Sequence, residues 1–202
     1  MQVLRRPPLS CLTNIALLAL LSCTTQTALL NSERIEATFG SYGVEVLEQS
    51  SAVRRTNLFS TANGVATCRT YAMVEFHEAH TGSIAQLHQQ ILKGGSIGAT
   101  FKQAGWEVTK QTIHVGEIRS VDPAHPIGRL MRLKSPSDLA LHAYRLLVHR
   151  DEGKQTHYAT IVETHHPDYL GSKELRRLFP TNAAALTPAQ AAALGSRVLS
   201  EK

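Results

Sequence analysis

Along much of the chain, apolar and polar residues alternate with a period of two, the pattern of strands that bury one face. Ile35, Ala37 and Phe39 fall on one parity, and Tyr42, Val44 and Val46 on the other. Such a pattern changes parity only through an extra residue, so Gly40-Ser41-Tyr42-Gly43 predicts a bulge or tight turn between two strand segments. Residues 53–60 and 66–77 predict two more strands, joined at Asn63-Gly64, a dipeptide that tolerates the positive φ angles of hairpin turns. Ser83-Ile84-Ala85-Gln86 has the form of a capping box, and Ile84, Leu87 and Ile91 follow at helical spacing until Gly94-Gly95. Residues 106–118 alternate weakly as a further strand, and residues 127–133 predict a short one after a loop with two prolines. Residues 139–150 and 155–165 predict a hairpin around Asp151-Glu152-Gly153-Lys154. Ser172 opens a short helix through Phe179, stopped by Pro180. Thr187-Pro188-Ala189-Gln190 opens an alanine-rich helix to about Ser200, whose apolar face (Ala191, Leu194, Val198) is thin and predicts weak docking. The order predicts an α+β fold: a twisted antiparallel sheet with one packed helix and C-terminal helices.

The first two dozen residues have a different character. Arg5 and Arg6 precede an uncharged stretch that is fully apolar from Ile15 to Leu21, and Thr24, Thr25 and Gln26 end it. A membrane-spanning helix needs about 20 apolar residues, so this run is too short to span and has the shape of an export signal. With Leu20 at −3, Ser22 at −1 and then Cys23, it resembles a bacterial lipoprotein signal. The resemblance implies cleavage before Cys23, diacylglycerol on its thiol and a palmitate-type acyl chain on its new amino group. With Thr24 rather than Asp after the cysteine, it implies an outer-membrane lipoprotein facing the periplasm. The alternative is an ordinary secretory signal cut near Ala28. The expected organisation is a signal peptide at 1–22, a tether at 23–33, a globular α+β domain at 34–180 and a C-terminal helix at 181–202.

Composition narrows the function classes. With 43% hydrophobic and 18% charged residues, the chain has material for a core and is not of the disordered class. The net charge of +5 falls to +3 if residues 1–22 are removed, because Arg5 and Arg6 go with them. The basic residues are scattered and lack interleaved aromatics, so nucleic acid is not an expected partner. The expected partners are the membrane, through the N-terminal lipid, and an envelope protein or anionic cell-wall ligand. Acylation of Cys23 would leave Cys68 as the single free thiol of the mature chain, on an alternating face with Ala66, Ala72, Val74 and Phe76 that predicts a buried, inert group.

Three patterns bear on chemistry. Gly94-Gly95-Ser96-Ile97-Gly98 matches the spacing of a serine-hydrolase elbow, but it follows a helix where that chemistry needs a strand, and reads as a glycine helix stop. His77-Glu78-Ala79-His80 is one residue short of the zinc-protease motif and lies at a strand end. The ten histidines are the compositional oddity: four fall in the hairpin and a fifth, His166, directly follows it. If Glu152-Gly153 is a two-residue turn, paired residue numbers sum to 305, which places His142 opposite Glu163 and His165 diagonally beside His142. Those three side chains would then suit Zn²⁺ or another divalent transition metal, or form a simple histidine–glutamate pair on a sheet face. A loop one residue longer, with a sum of 304, separates His142 from the other two. No coherent catalytic set emerges, and the chain reads as a non-enzymatic, lipid-anchored binding module of the cell envelope, with a metal-binding protein or metal-dependent enzyme as the alternative.

Overall fold

The computed structural model describes residues 29–77, 82–150, 154–180 and 188–200; Cys23 and its signal-like segment lie outside them. In chain order the elements are α1 (Asn31–Phe39), β1 (Gly43–Gln49), β2 (Val53–Ala62), β3 (Val65–Phe76), α2 (Gly82–Leu92), α3 (Ile97–Gln103), β4 (Glu107–Val121), α4 (Pro126–Leu130), β5 (Ser137–His149), β6 (Thr156–His165), α5 (Ser172–Leu178) and α6 (Pro188–Leu199). The fold is α+β, as the sequence predicts. Six antiparallel strands form one sheet in the order β1-β2-β3-β6-β5-β4. Asn63 and Gly64 take φ angles of 51° and 75° and close the β2–β3 hairpin where the dipeptide predicts it. Among the described residues no helix is long and apolar enough to cross a membrane.

Both faces of the sheet are covered. On one, Tyr71, Met73, Leu139, Leu141 and Val162 form an apolar core with Ile127 and Met131 at α4 and Val198 of α6. Val198 is fully buried, so the thin face of α6 docks more firmly than its composition predicts. On the other face, Ala72, Val74, Tyr144, Leu146 and Ile161 pack with Leu87 and Ile91 of α2 and Phe101 of α3. A further cluster beside it joins Ile35 of α1 to Tyr169, Leu170 and Leu175.

Three elements depart from the sequence reading. The segment 35–39, predicted as a strand, belongs to helix α1, which begins at Asn31 inside the span read as tether. Its buried residues Asn31, Arg34 and Ile35 follow the helical spacing of three and four. Glu33 accepts the Leu30 N–H at 2.7 Å near the helix start, and Gly40, at φ 74°, ends the helix in the left-handed region. The short strand predicted from Ile127 is instead the helix α4: Pro126 holds the first-turn position, and His125 accepts the Ile127 N–H at 3.2 Å. Helix α3 follows the glycine stop of α2 directly, and the sequence gives it only about two turns of weak apolar spacing.

Cys68 is buried, but on the opposite face from that expected. The β2–β3 register shifts so that Phe59 pairs Cys68 while Leu58 pairs Thr70, which makes Arg69 an extra residue. The bulge moves Cys68 onto the face of Tyr71 and Met73, away from Ala72, Val74 and Phe76. At 1% exposure the thiol is pushed up to about 12 by burial. Peptide-resolved alkylation with iodoacetamide at pH 8 is therefore expected to leave Cys68 unmodified in the folded chain and to label it fully in guanidinium; labelling at equal rates in both would contradict this packing.

Candidate functional site

The hairpin brings His142, Glu163 and His165 to one face, by a route the sequence does not reveal. Near the turn, Val148 pairs Thr156 and Leu147 pairs His157, the register of the longer loop. Tyr158 is then an extra residue, and from Leu146–Ala159 onward the pairing takes the other register, with His142 opposite Glu163 and Ala140 opposite His165. Tyr158 is itself fully buried, with its hydroxyl 2.8 Å from His88 Nδ1 and its ring edge-on to Phe101.

Glu163 is the centre of this face. It is 5% exposed on a strand flanked on both sides, and four groups surround its carboxylate. The Tyr144 hydroxyl donates to Oε1 at 2.9 Å and Asn31 Nδ2 donates to the same oxygen at 3.4 Å. Lys110 Nζ lies 3.5 Å from Oε2, and His165 Nε2 lies 3.9 Å from it. Burial raises the carboxyl, but the Lys110 ammonium, the two imidazoles and the Tyr144 hydroxyl outweigh it and hold it down at about 2. Lys110 is pulled down by burial and pushed up by Glu163; we read the two as an ion pair, with the ammonium also 4.4 Å above the Tyr144 ring.

The two histidines are fixed by packing. His142 is fully buried, stacks on Phe179 at 4.3 Å and contacts Thr112 Oγ1 through Nε2 at 3.1 Å. Burial and Lys110 push it down to about 3. His165 Nδ1 lies 2.9 Å from Thr70 Oγ1, and burial pushes its imidazole down to about 4 against the pull of Glu163. Asn31 ties the cluster to α1: it donates to Thr70 Oγ1 at 3.1 Å and accepts from the Tyr169 hydroxyl at 2.6 Å.

The geometry brings His142, Glu163 and His165 onto one face but does not by itself assign a metal to them. Register unites them, but His142 turns its Nε2 to Thr112 and its ring to Phe179, and a divalent ion at Glu163 would lie against the Lys110 ammonium. Among the described residues no three His, Cys, Asp or Glu side chains are placed to hold a metal ion. Ser96 sits just before α3, after the glycine stop of α2, and not on a strand-to-helix elbow. His77 directly follows β3 with its ring 4.5 Å from that of His157, and residues 78–81 lie outside the described residues.

Beside the cluster the same face opens into a cavity of about 90 Å³ between the sheet, α1 and the start of α3. Glu163 and Lys110 border one side and Arg54 another; Val74, Leu146 and Ile97 supply apolar wall. Arg54 is 1% exposed, and its Nη1 donates to the carbonyls of Ile91 (3.1 Å) and Gly95 (2.8 Å), at the negative end of α2. Lys110 also borders a second cavity of about 330 Å³, under Leu178, Phe179 and Pro180. Sequence reasoning missed Lys110, Asn31, Tyr144 and Arg54. Lys110 carried one signal, a charge in phase with Val108 on an alternating strand.

No protein-family model matches the chain, and no curated protein matches it.

The cluster makes stability pH-dependent. His142 and His165 stay neutral in the fold well below their ordinary value of 6.5, so the unfolded chain takes up protons first and stability falls as pH drops through about 6.5 toward 4. Glu163, held below its ordinary 4.5, contributes stability that is present above that value and is lost as pH falls toward about 2. Urea midpoints are expected to decline below pH about 6.5, and His142→Gln to make that decline shallower by up to about 1.4 kcal/mol per pH unit; an identical slope in the variant would contradict the buried neutral imidazole. At pH 7 Glu163→Gln is expected to cost about 2–4 kcal/mol in urea unfolding, and Lys110→Met with Glu163→Gln less than the two singles together.

Proposed function

We propose that this chain is a lipid-anchored module of the cell envelope that holds a small ligand in the cavity between the sheet and α1, and does not transform it. The observation that carries the reading is a cavity with mostly apolar walls whose polar groups are buried, charged and already held in place. Proton-transfer catalysis works best with groups that titrate near the working pH. Here Glu163 is held at about 2, and His142 and His165 at about 3 and 4, so at neutral pH the carboxylate is a weak base and neither imidazole is an acid. Such groups are suited to orienting charge.

The export signal, Cys23 and the absence of Asp at position 24 support a place at the outer membrane, facing the periplasm. One acyl chain alone anchors marginally and two or three anchor firmly, so the lipids on Cys23 would be sufficient without a spanning helix. Leu30, which lines the cavity, is seven residues beyond Cys23, so the chain between them reaches at most about 25 Å. The cavity would stay close to the leaflet, within reach of envelope proteins or anionic polymers.

Metabolic labelling with an alkyne palmitate analogue in a diderm host tests the anchor. The full chain is expected to incorporate label and sediment with the outer membrane, and Cys23→Ser to lose both; label retained by Cys23→Ser, or none on the parent chain, would refute it.

A further inference from the structure

The proposed ligand cavity has one charge that the protein leaves without a counter-charge. Glu163 and Lys110 face each other at 3.5 Å and neutralise one another. Arg54 borders the same cavity, is 1% exposed, and has no carboxylate within ion-pairing distance among the described residues. Its Nη1 is committed to the carbonyls of Ile91 and Gly95. Its Nε–H is buried and has no acceptor. A buried donor left in that state keeps its desolvation cost with no return, the more so on a charged group, and is the kind of defect that a bound partner repairs.

A guanidinium offers its donors in pairs along its edges. With Nη1 turned to the end of α2, the remaining edge is Nε with Nη2, a fork that matches the two oxygens of a carboxylate. The Tyr42 and Ser96 side chains border the same cavity and add polar groups beside Arg54. Val74, Leu146 and Ile97 leave apolar wall for the body of a ligand, and the volume, about 90 Å³, is smaller than the engineered cavity of about 150 Å³ that takes up benzene.

We infer that the cavity binds a small monocarboxylic acid as its anion, with the carboxylate on the Nε–Nη2 edge of Arg54 and a short hydrocarbon body against Val74, Leu146 and Ile97. The inference rests on the ligand-binding reading above and adds the charge and size of what is bound. A dicarboxylate would bring a second charge onto apolar wall, and a long acyl chain exceeds the space. A cation would meet Arg54 directly.

Calorimetric titration of the full chain in lipid nanodiscs, against empty nanodiscs, tests this with propionate and butyrate, their neutral amides, and butylamine. The acids are expected to bind with at least tenfold higher affinity than the amides, and butylamine not to bind. Arg54→Gln should remove acid binding, and Arg54→Lys, which keeps the charge but not the fork, should weaken it severalfold. The comparison of acid with amide on the parent chain needs no variant, so it decides the matter even if substitution at Arg54 disturbs α2. Amides binding as well as acids, or a folded Arg54→Gln chain binding butyrate as the parent does, would overturn the anion assignment and leave the cavity a site for neutral ligands. If neither acids, amides nor the amine bind at millimolar concentration, the small-ligand reading itself falls, and this inference with it.

Discussion

A carboxylate buried in the middle of a sheet constrains everything around it. An unpaired charge at such a site costs several kcal/mol, which exceeds what most single packing contacts return. Glu163 is tolerated because three other elements converge on it: β4 supplies Lys110, the hairpin partner β5 supplies Tyr144 and α1, far away in sequence, supplies Asn31. The placement of α1 follows from this as much as from its apolar stripe, since Asn31 must reach Glu163 and Thr70 while Ile35 fills the cluster around Tyr169. One polar group thereby links the N-terminal helix, two strands and the segment after β6.

The sheet was legible in the sequence because each strand alternates over enough residues to set its phase, and Asn63-Gly64 marks its hairpin without ambiguity. The two misread helices are short. In five residues, Ile35, Ala37 and Phe39 satisfy a period of two, while Ile35 and Phe39 also satisfy the helical spacing of four, and the buried polar residues Asn31 and Arg34 that reveal the helix carry no hydrophobic signal. The segment after Pro126 is equally brief, and its helix is decided by a proline and a histidine cap rather than by periodicity. Bulges are the other blind spot. Cys68 changed faces through one extra residue at Arg69, with nothing in the alternation to announce it.

The candidate site was legible only where its members lie on one hairpin. His142 opposite Glu163 follows from counting outward from the turn, yet the count succeeded because Tyr158 inserts one residue and cancels the different register nearest the loop. Lys110 and Arg54 could not be found that way, because their positions depend on β4 taking the far edge beside β5, and on β2 pairing β3 as β3 pairs β6. Strand order in a sheet with non-local pairing is not written in local pattern. The histidine count drew attention to the right strands and suggested metal ligation; the lysine that pairs with Glu163 sits on another strand.

The two faces of the sheet divide the work. Opposite Glu163, the side formed by Tyr71, Met73, Leu141 and Val162 with α4 and α6 is a continuous apolar core, and supplies cohesion. That leaves the other face free to carry a paired carboxylate, two neutral imidazoles and a guanidinium, groups that lower stability or return little of it. Arg54 illustrates the compromise: two carbonyls at the end of α2 hold its Nη1, which secures the helix, while its Nε is left without an acceptor. A fold selected only for stability would fill that cavity with a methyl group or a leucine, since apolar replacements of buried charges are often neutral or stabilising. Keeping a charge there makes physical sense if something outside the chain completes its hydrogen bonds, which is the basis on which a binding role is proposed over a purely structural one.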